Sequence, residues 1–120
     1  MRRAFAIAFL ALVANGAAAQ SAQESDYALQ CRGCHGADGA GVAGRVPSLA
    51  GVAALLETRE GRRRLLSVPG VRQASLSDER LAALLEWLAR TFAPPGRAAA
   101  SVPLTAAEVG RYRGTSQTLR

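Results

Sequence analysis

The sequence predicts an all-α protein. No stretch of the chain alternates polar and apolar residues with the period of two that half-buried strands show. The clearest amphipathic segment begins after Ser77 and ends before Pro94. Ser77 is a good N-cap, and the two residues that follow it are acidic, as the first turn of a helix favours. Its apolar residues recur at helical spacing: Leu81, Leu84, Leu85, Leu88 and Phe92.

The N-terminal half predicts a helix followed by a loop. Residues 21–30 lead directly into a motif that contains both cysteines of the chain, and we expect a short helix that ends at or just after His35. Residues 36–44 are rich in glycine and poor in bulky side chains, so an irregular loop follows.

Two short helices are expected between that loop and the amphipathic segment. Residues 52–57 are apolar enough for the first helix, and Thr58 can cap the second, over residues 59–68. In the second helix Leu65 and Leu66 should face inward and the arginines outward. Pro69 and the glycine after it should end this helix.

The motif is C-x-x-C-H, at Cys31, Cys34 and His35. This is the spacing by which haem is attached covalently in c-type cytochromes. The two thiols bond to the porphyrin, and the neighbouring imidazole binds the iron from one face. The motif uses both cysteines and the only histidine of the chain. It therefore predicts one covalent haem c, with Cys31, Cys34 and His35 as cofactor-binding residues and His35 as the metal ligand.

Other interpretations of the motif remain open at this point. A disulfide would use the two cysteines but would leave the position of His35 unexplained. A thioredoxin-like redox pair is expected near a βαβ pattern, and nothing upstream resembles a strand. A structural zinc site usually needs four nitrogen or sulfur ligands, whereas this chain offers three such side chains.

Residues 1–19 have the composition of a secretory signal peptide. Two arginines precede an apolar run of about 11 residues, too short for a bilayer that needs ~20, and three alanines stand before Gln20. We therefore expect an exported, periplasmic or secreted protein without stable membrane insertion. The remainder is expected to form a haem domain over residues 20–93. Residues 94–120 would be a partly flexible extension with one short helix started by Thr105 and Glu108.

Arginine supplies all the positive side-chain charge of the chain. There is no lysine, and the formal net charge falls from +6 to +4 when residues 1–19 and their two arginines are removed. We interpret this as a compositional bias and not as a nucleic-acid signature. The run Arg62, Arg63 and Arg64 forms either a solvated helix face or a positive patch that steers an acidic redox partner.

The segment from about residue 25 to residue 92 resembles the small monohaem class I c-type cytochromes. The resemblance is carried by CRGCHGADGAG at residues 31–41 and by the helix that follows Ser77. It implies three to five helices around the haem. It also implies that the backbone carbonyl of Pro47 accepts the imidazole N–H, which orients the ring. Tyr27 and Trp87 would be the aromatic pair where the first and last helices cross.

The chain departs from that family at the second axial ligand. The family usually supplies a methionine from the loop before the last helix, whereas residues 68–75 contain none. The only methionine is Met1, and there is no second histidine. We expect an open or weakly occupied site on that face of the iron. The alternatives are Gln73, Tyr27, Tyr112, a new N-terminal amine or a ligand from a partner protein.

These features predict an electron-transfer protein and not an enzyme, because no Ser/His/Asp or Cys/His constellation is left for acid–base chemistry. The first hypothesis is a one-electron carrier between a dehydrogenase and a terminal acceptor. The second is a five-coordinate haem protein that binds or senses a gas. The third is a cytochrome subunit of a larger dehydrogenase, with the segment after residue 94 as its docking element.

Overall fold

The computed structural model describes residues 20–97 and 102–114, so the signal peptide expected over residues 1–19 lies outside the described residues. The described part is all-α, as the sequence predicts, and its only strand-like feature is an isolated bridge between Val42 and Val46. Its helices are α1 (Ala22–Gln30), α2 (Arg32–His35), α3 (Val52–Leu56), α4 (Arg59–Ser67), α5 (Pro69–Arg72), α6 (Asp78–Thr91) and α7 (Ala106–Gly114). A single 3-10 turn, Leu49–Gly51, precedes α3.

The number of helices in the described part, seven, exceeds the predicted three to five. Two of the additional helices are single turns. The first arises because Cys31 leaves helical backbone geometry, with φ −127°, and separates α1 from α2. The second arises because Pro69 occupies the first position of α5, where its missing N–H costs no hydrogen bond. Pro69 therefore ends α4 as predicted and also begins a new turn.

Polar side chains cap helices α1, α4 and α6, the last two at the positions that the sequence indicates. The Ser21 hydroxyl accepts from the Glu24 N–H at 3.1 Å, and the Thr58 hydroxyl accepts from the Gly61 N–H at 3.0 Å. At the start of α6, the Ser77 hydroxyl accepts from the Arg80 N–H at 3.3 Å. Each contact satisfies one backbone donor that the first turn leaves unpaired. The predicted starts of α1, α4 and α6 are confirmed.

Helix α6 is the centre of the core. Its predicted apolar stripe is confirmed, because Leu81, Leu84, Leu85 and Leu88 are all buried. Helices α1, α3 and α7 pack against it. Each buried leucine of this kind contributes roughly 1.5–3 kcal/mol through the apolar area it removes from water.

The crossing of α1 and α6 combines aromatic packing with an ion pair. The Tyr27 and Trp87 rings lie 5.7 Å apart between centroids, which confirms the predicted pair, and the Phe92 ring lies 5.3 Å from Tyr27. Beside them Asp26, only 2 % exposed, accepts from the Arg80 guanidinium, with Nε 3.2 Å from Oδ2. The two helices are thus held by contacts on adjacent faces.

Helix α7 packs into the core. The Thr105 hydroxyl accepts from the Glu108 N–H at 3.1 Å, which confirms the predicted start. Leu104 and Val109 are buried in the same cluster as the α6 leucines, and α7 contacts both α4 and α6. The part of the segment after residue 94 that the structure describes therefore contributes to the fold.

Arg62 contradicts the expectation that the α4 arginines face outward. It is 7 % exposed, and its Nε donates to the Leu56 carbonyl at 2.7 Å. Its Nη1 pairs with Glu108 of α7 at 3.0 Å, which explains how a buried guanidinium is tolerated. The predicted positive patch therefore lacks Arg62. Of the exposed pair that remains, Arg63 is bound to Glu60 on its own helix.

Among the described residues, no helix combines the length and the apolar character that crossing a membrane requires.

Candidate functional site

The C-x-x-C-H motif consists of Cys31, which lies between α1 and α2, and the single helical turn α2. The Cys31 carbonyl accepts from the His35 N–H at 3.0 Å and from the Cys34 N–H at 3.2 Å. This single turn brings the three side chains of the motif to one region of the surface. Both cysteines are free thiols, Cys31 partly buried and Cys34 exposed. The structure therefore contains no disulfide between them.

His35 is oriented by the residue that the family resemblance implies. Its Nδ1 lies 3.0 Å from the carbonyl oxygen of Pro47, twelve residues along the chain. A carbonyl oxygen can only accept, so Nδ1 carries the proton in the neutral ring. The lone pair is then on Nε2, the nitrogen left to bind a metal. The predicted contact between His35 and Pro47 is confirmed.

Gly41 allows the Pro47 carbonyl to reach this position. Its N–H donates to the His35 carbonyl at 2.9 Å, and its φ of +69° lies in the left-handed region that favours glycine. A Cβ on Gly41 would lie 2.3 Å from the Val46 oxygen and 2.7 Å from the Pro47 oxygen. The loop therefore needs glycine here both for its conformation and for the space beside the carbonyl.

Cys31, Cys34 and His35 all line one cleft. The cavity volume of this cleft is about 140 Å³, below the range of about 300–1,000 Å³ typical of small-molecule and cofactor sites. We call the motif the first wall of the cleft. The floor consists of the four buried leucines of α6. Three further apolar residues complete this side: Leu49, Val52 and Leu65.

Residues 68–76 form a second wall. Val68, Gly70, Val71 and Ala74 line the cleft from this segment, and none of them has a side chain that binds a metal. The candidates that the sequence suggested for the second axial position, Gln73, Tyr27 and Tyr112, do not line the cleft either. Among the described residues, the lining therefore contains no conventional metal-binding side chain besides those of the motif.

Tyr27 is held away from the cleft by its own contacts. Its hydroxyl donates to the Gly36 carbonyl, and its ring packs between Trp87 and Phe92. Burial raises the pKa of Tyr27, as do the nearby Cys31 and Asp38, while Arg32 lowers it. The phenol is therefore neutral near pH 7 and is engaged with backbone.

Gln30 is a lining residue that the sequence did not single out. It ends α1 beside Cys31, and its side-chain oxygen accepts from the Ser75 N–H at 3.1 Å. The contact ties the end of α1 to the second wall across 45 residues of sequence. The only sequence feature that could have pointed to Gln30 was its position next to Cys31. No neighbouring residue indicated its hydrogen bond with the Ser75 N–H.

The two thiols differ in their environment. Burial raises the pKa of Cys31 above its ordinary value, and the neighbouring Asp26 and Cys34 raise it further. A raised pKa keeps the Cys31 thiol neutral near pH 7 and makes it a weak nucleophile in the folded chain.

A zinc site does not form around the motif. Among the described residues, no group of three or more histidine, cysteine, aspartate or glutamate side chains converges as metal ligands would. The donors present are two thiols and one imidazole lining an apolar cleft, which is the donor set that covalent haem attachment requires.

Comparison with protein-family models, curated proteins and solved structures gives no match to this chain. The resemblance to class I cytochromes therefore depends on the residues of the motif, the loop and the closing helix.

Proposed function

We propose that this chain is an exported haem c protein that carries one electron at a time between a dehydrogenase and a terminal acceptor. Cys31 and Cys34 would form the two thioether bonds, and His35 would bind the iron through Nε2. The observation that carries this proposal is the convergence of these three side chains on one apolar cleft, with the His35 Nδ1 already bound to the Pro47 carbonyl.

The residues of the cleft fit a haem in three respects. The thiols are free and at the mouth of the cleft, where Cys34 is exposed and Cys31 lies deeper. The leucines of α6 and the aliphatic residues around them would exclude water from the porphyrin faces. The tie between His35 and Pro47 makes the imidazole a stronger and better oriented ligand.

When bound, the haem iron supplies reversible one-electron chemistry, and the protein sets its potential through axial ligands, hydrogen bonds and burial. The exposed Cys34 marks an edge of the cleft that a partner could reach.

A second function, reversible binding of a gas such as CO or NO, is favoured by the composition of the second wall. Because no side chain there can bind the iron, a small ligand would meet no protein competitor on the second face of the haem. The same observation predicts a lower reduction potential than a Met/His haem would have.

The first test is covalent haem content. The full chain is produced in a host with a c-type haem attachment system, and the pyridine haemochrome spectrum of the purified protein is recorded. We expect one haem per chain, and loss of most of it in Cys31→Ala and Cys34→Ala. Arg32→Ala, at the exposed position between the cysteines, is the matched control and should keep normal content. Normal haem content in either cysteine variant would contradict the proposal.

The two functions are separated on the same sample. A carrier should exchange electrons rapidly with a redox partner and bind CO weakly, whereas a gas binder should bind CO tightly and exchange electrons slowly. Stopped-flow reduction and CO titration of the ferrous form measure both properties.

A further inference from the structure

Arg113 of α7 makes an unusual set of contacts with the second wall of the cleft. Its Nε donates to the Arg72 carbonyl at 3.1 Å, and its Nη2 donates to the Ala74 carbonyl at 2.8 Å. Its Nη1 donates to the Leu76 carbonyl and to the Asp78 carboxylate, both at 2.9 Å. One guanidinium thus binds four acceptors within seven residues of chain.

These acceptors belong to the same segment that lines the cleft. Ala74 takes part in both: its buried side chain lines the cleft, and its carbonyl accepts from Arg113. After α5 ends, at Arg72, the segment is irregular, and three of its carbonyls are bound by Arg113. Of these, the Ala74 carbonyl also accepts from the Leu76 N–H at 2.8 Å. Arg113 and Gln30 are the two side chains that fix this stretch from outside it.

The chemistry of these contacts requires arginine. A guanidinium presents five N–H donors in a rigid planar fork, whereas a lysine has three donors on one nitrogen and cannot span acceptors of this spread. Hydrogen bonds from an ionised donor are also roughly twice as strong as neutral ones. The Arg113 side chain is only 21 % exposed, which limits competition from water. The wall therefore depends on one side chain more than 35 residues away.

We propose that Arg113 is a positioning residue that holds the second wall over the cleft and so limits the access of small ligands to the iron. The inference rests on the proposed function, in which the second wall covers the face of the haem that His35 does not bind. Because this wall has no ligating side chain, how often it opens decides how fast an external ligand enters. Without Arg113, the carbonyls of residues 72 and 76 turn to water, the Ala74 carbonyl keeps only its hydrogen bond from the Leu76 N–H, and the wall opens more often.

The test uses the haem-loaded full chain and its variants Arg113→Met and Arg113→Lys. Imidazole is mixed with the ferric protein, and its association rate is followed by stopped flow. We expect the rate to rise about tenfold or more in both variants, since loss of charge-assisted hydrogen bonds increases the open fraction by such a factor. Arg90→Met is the matched control, because Arg90 pairs with Glu86 on its own helix at 3.8 Å and does not line the cleft.

A second readout does not depend on the haem chemistry. Amide hydrogen exchange in the same samples should accelerate in peptides that cover residues 69–77 and stay unchanged in peptides that cover residues 22–35. Acceleration throughout the chain in Arg113→Lys would mean a general structural role and would overturn the proposal. If Arg113→Met does not fold, the lysine variant decides, because it keeps the charge and the length of the stem.

The outcomes also separate this inference from the proposed function. Absence of covalent haem in the wild-type chain overturns both. Normal haem content in all variants, with imidazole rates and exchange at residues 69–77 unchanged, overturns only the role of Arg113.

Discussion

The two walls of the cleft are built in different ways. The first wall contains both cysteines and the histidine of the described chain, and its defining contacts join residues close in sequence, such as His35 and Pro47 at twelve residues. The second wall contains no such group and is fixed by Gln30 and Arg113, which lie 37 to 45 residues from their backbone partners among residues 74–76. In this molecule, the chemistry of the site is local in sequence, whereas access to it depends on distant residues.

The largest expected effect lies at Gly41, beside the Pro47 carbonyl that orients His35 of the first wall. In Gly41→Ala the new Cβ would overlap the Val46 and Pro47 oxygens and displace the carbonyl that orients His35. Left-handed geometry costs about 1–2 kcal/mol and overpacking about 1–3 kcal/mol more, so we expect the free energy of unfolding to fall by roughly 2–5 kcal/mol. Denaturant unfolding of the holoprotein measures this loss.

Gly44→Ala is the matched control for Gly41→Ala. Gly44 also has a positive φ, +74°, but a Cβ there would meet nothing within 4 Å. Only the conformational cost of about 1–2 kcal/mol should therefore appear. An equal loss of stability in the two variants would mean that crowding at the Pro47 carbonyl is unimportant.

The next largest effect is expected when a methionine, as a second axial ligand, is added to the second wall. Val71 lines the cleft, so Val71→Met would place a thioether there. We expect the reduction potential of the haem to rise on the order of 0.1 V, a fraction of the ~0.8 V range that axial ligands span. Potentiometric titration measures the shift, with the exposed Val102→Met as control. A potential that rises equally in both variants would refute the assignment of Val71 to that face.

The smallest effect concerns the two thiols in the folded chain without haem. Cys34 is exposed, whereas burial raises the pKa of Cys31 and lowers its thiolate fraction. At about pH 8 we expect iodoacetamide to alkylate Cys34 several-fold faster than Cys31, because the thiolate is the reactive form. Mass spectrometry of the labelled peptides gives both rates. In urea the difference should disappear, and its persistence there would contradict an origin in the fold.

The raised pKa of Cys31 also sets the sign of a pH effect on stability. The folded state holds this proton more tightly than the unfolded state, whose thiol titrates near 9.0. The contribution to the stability of the haem-free chain is complete below that pH and is lost as the pH rises through the folded pKa.

The features that the sequence predicted well are those set by neighbouring residues. The caps at Thr58 and Ser77, the start of α1 and the apolar stripe of α6 are local patterns, and the structure confirms them. The contact between His35 and Pro47 came from the resemblance, and it too spans a short loop. Haem attachment, export and electron transfer stay predictions.

The errors come from contacts that local sequence does not encode. Arg62 stands in a run of three arginines that predicts a solvated face, but the position of Glu108, 46 residues away, decides its burial. Pro69 was expected only to end α4, although proline also suits the first position of a helix. The sequence predicted no role for Arg113. Its acceptors include backbone carbonyls, which every residue has and which therefore cannot be recognised from residue types.

The separation of Arg113 from its carbonyl acceptors has a consequence for the order of folding. Closing a chain segment of nearly 40 residues costs more entropy than forming the turn from Cys31 to His35, so the first wall can form early and the second only with α7 in place. During this interval the thiols and the imidazole are assembled while the cleft has no second wall. A flat macrocycle would then enter from the side before the chain closes over it.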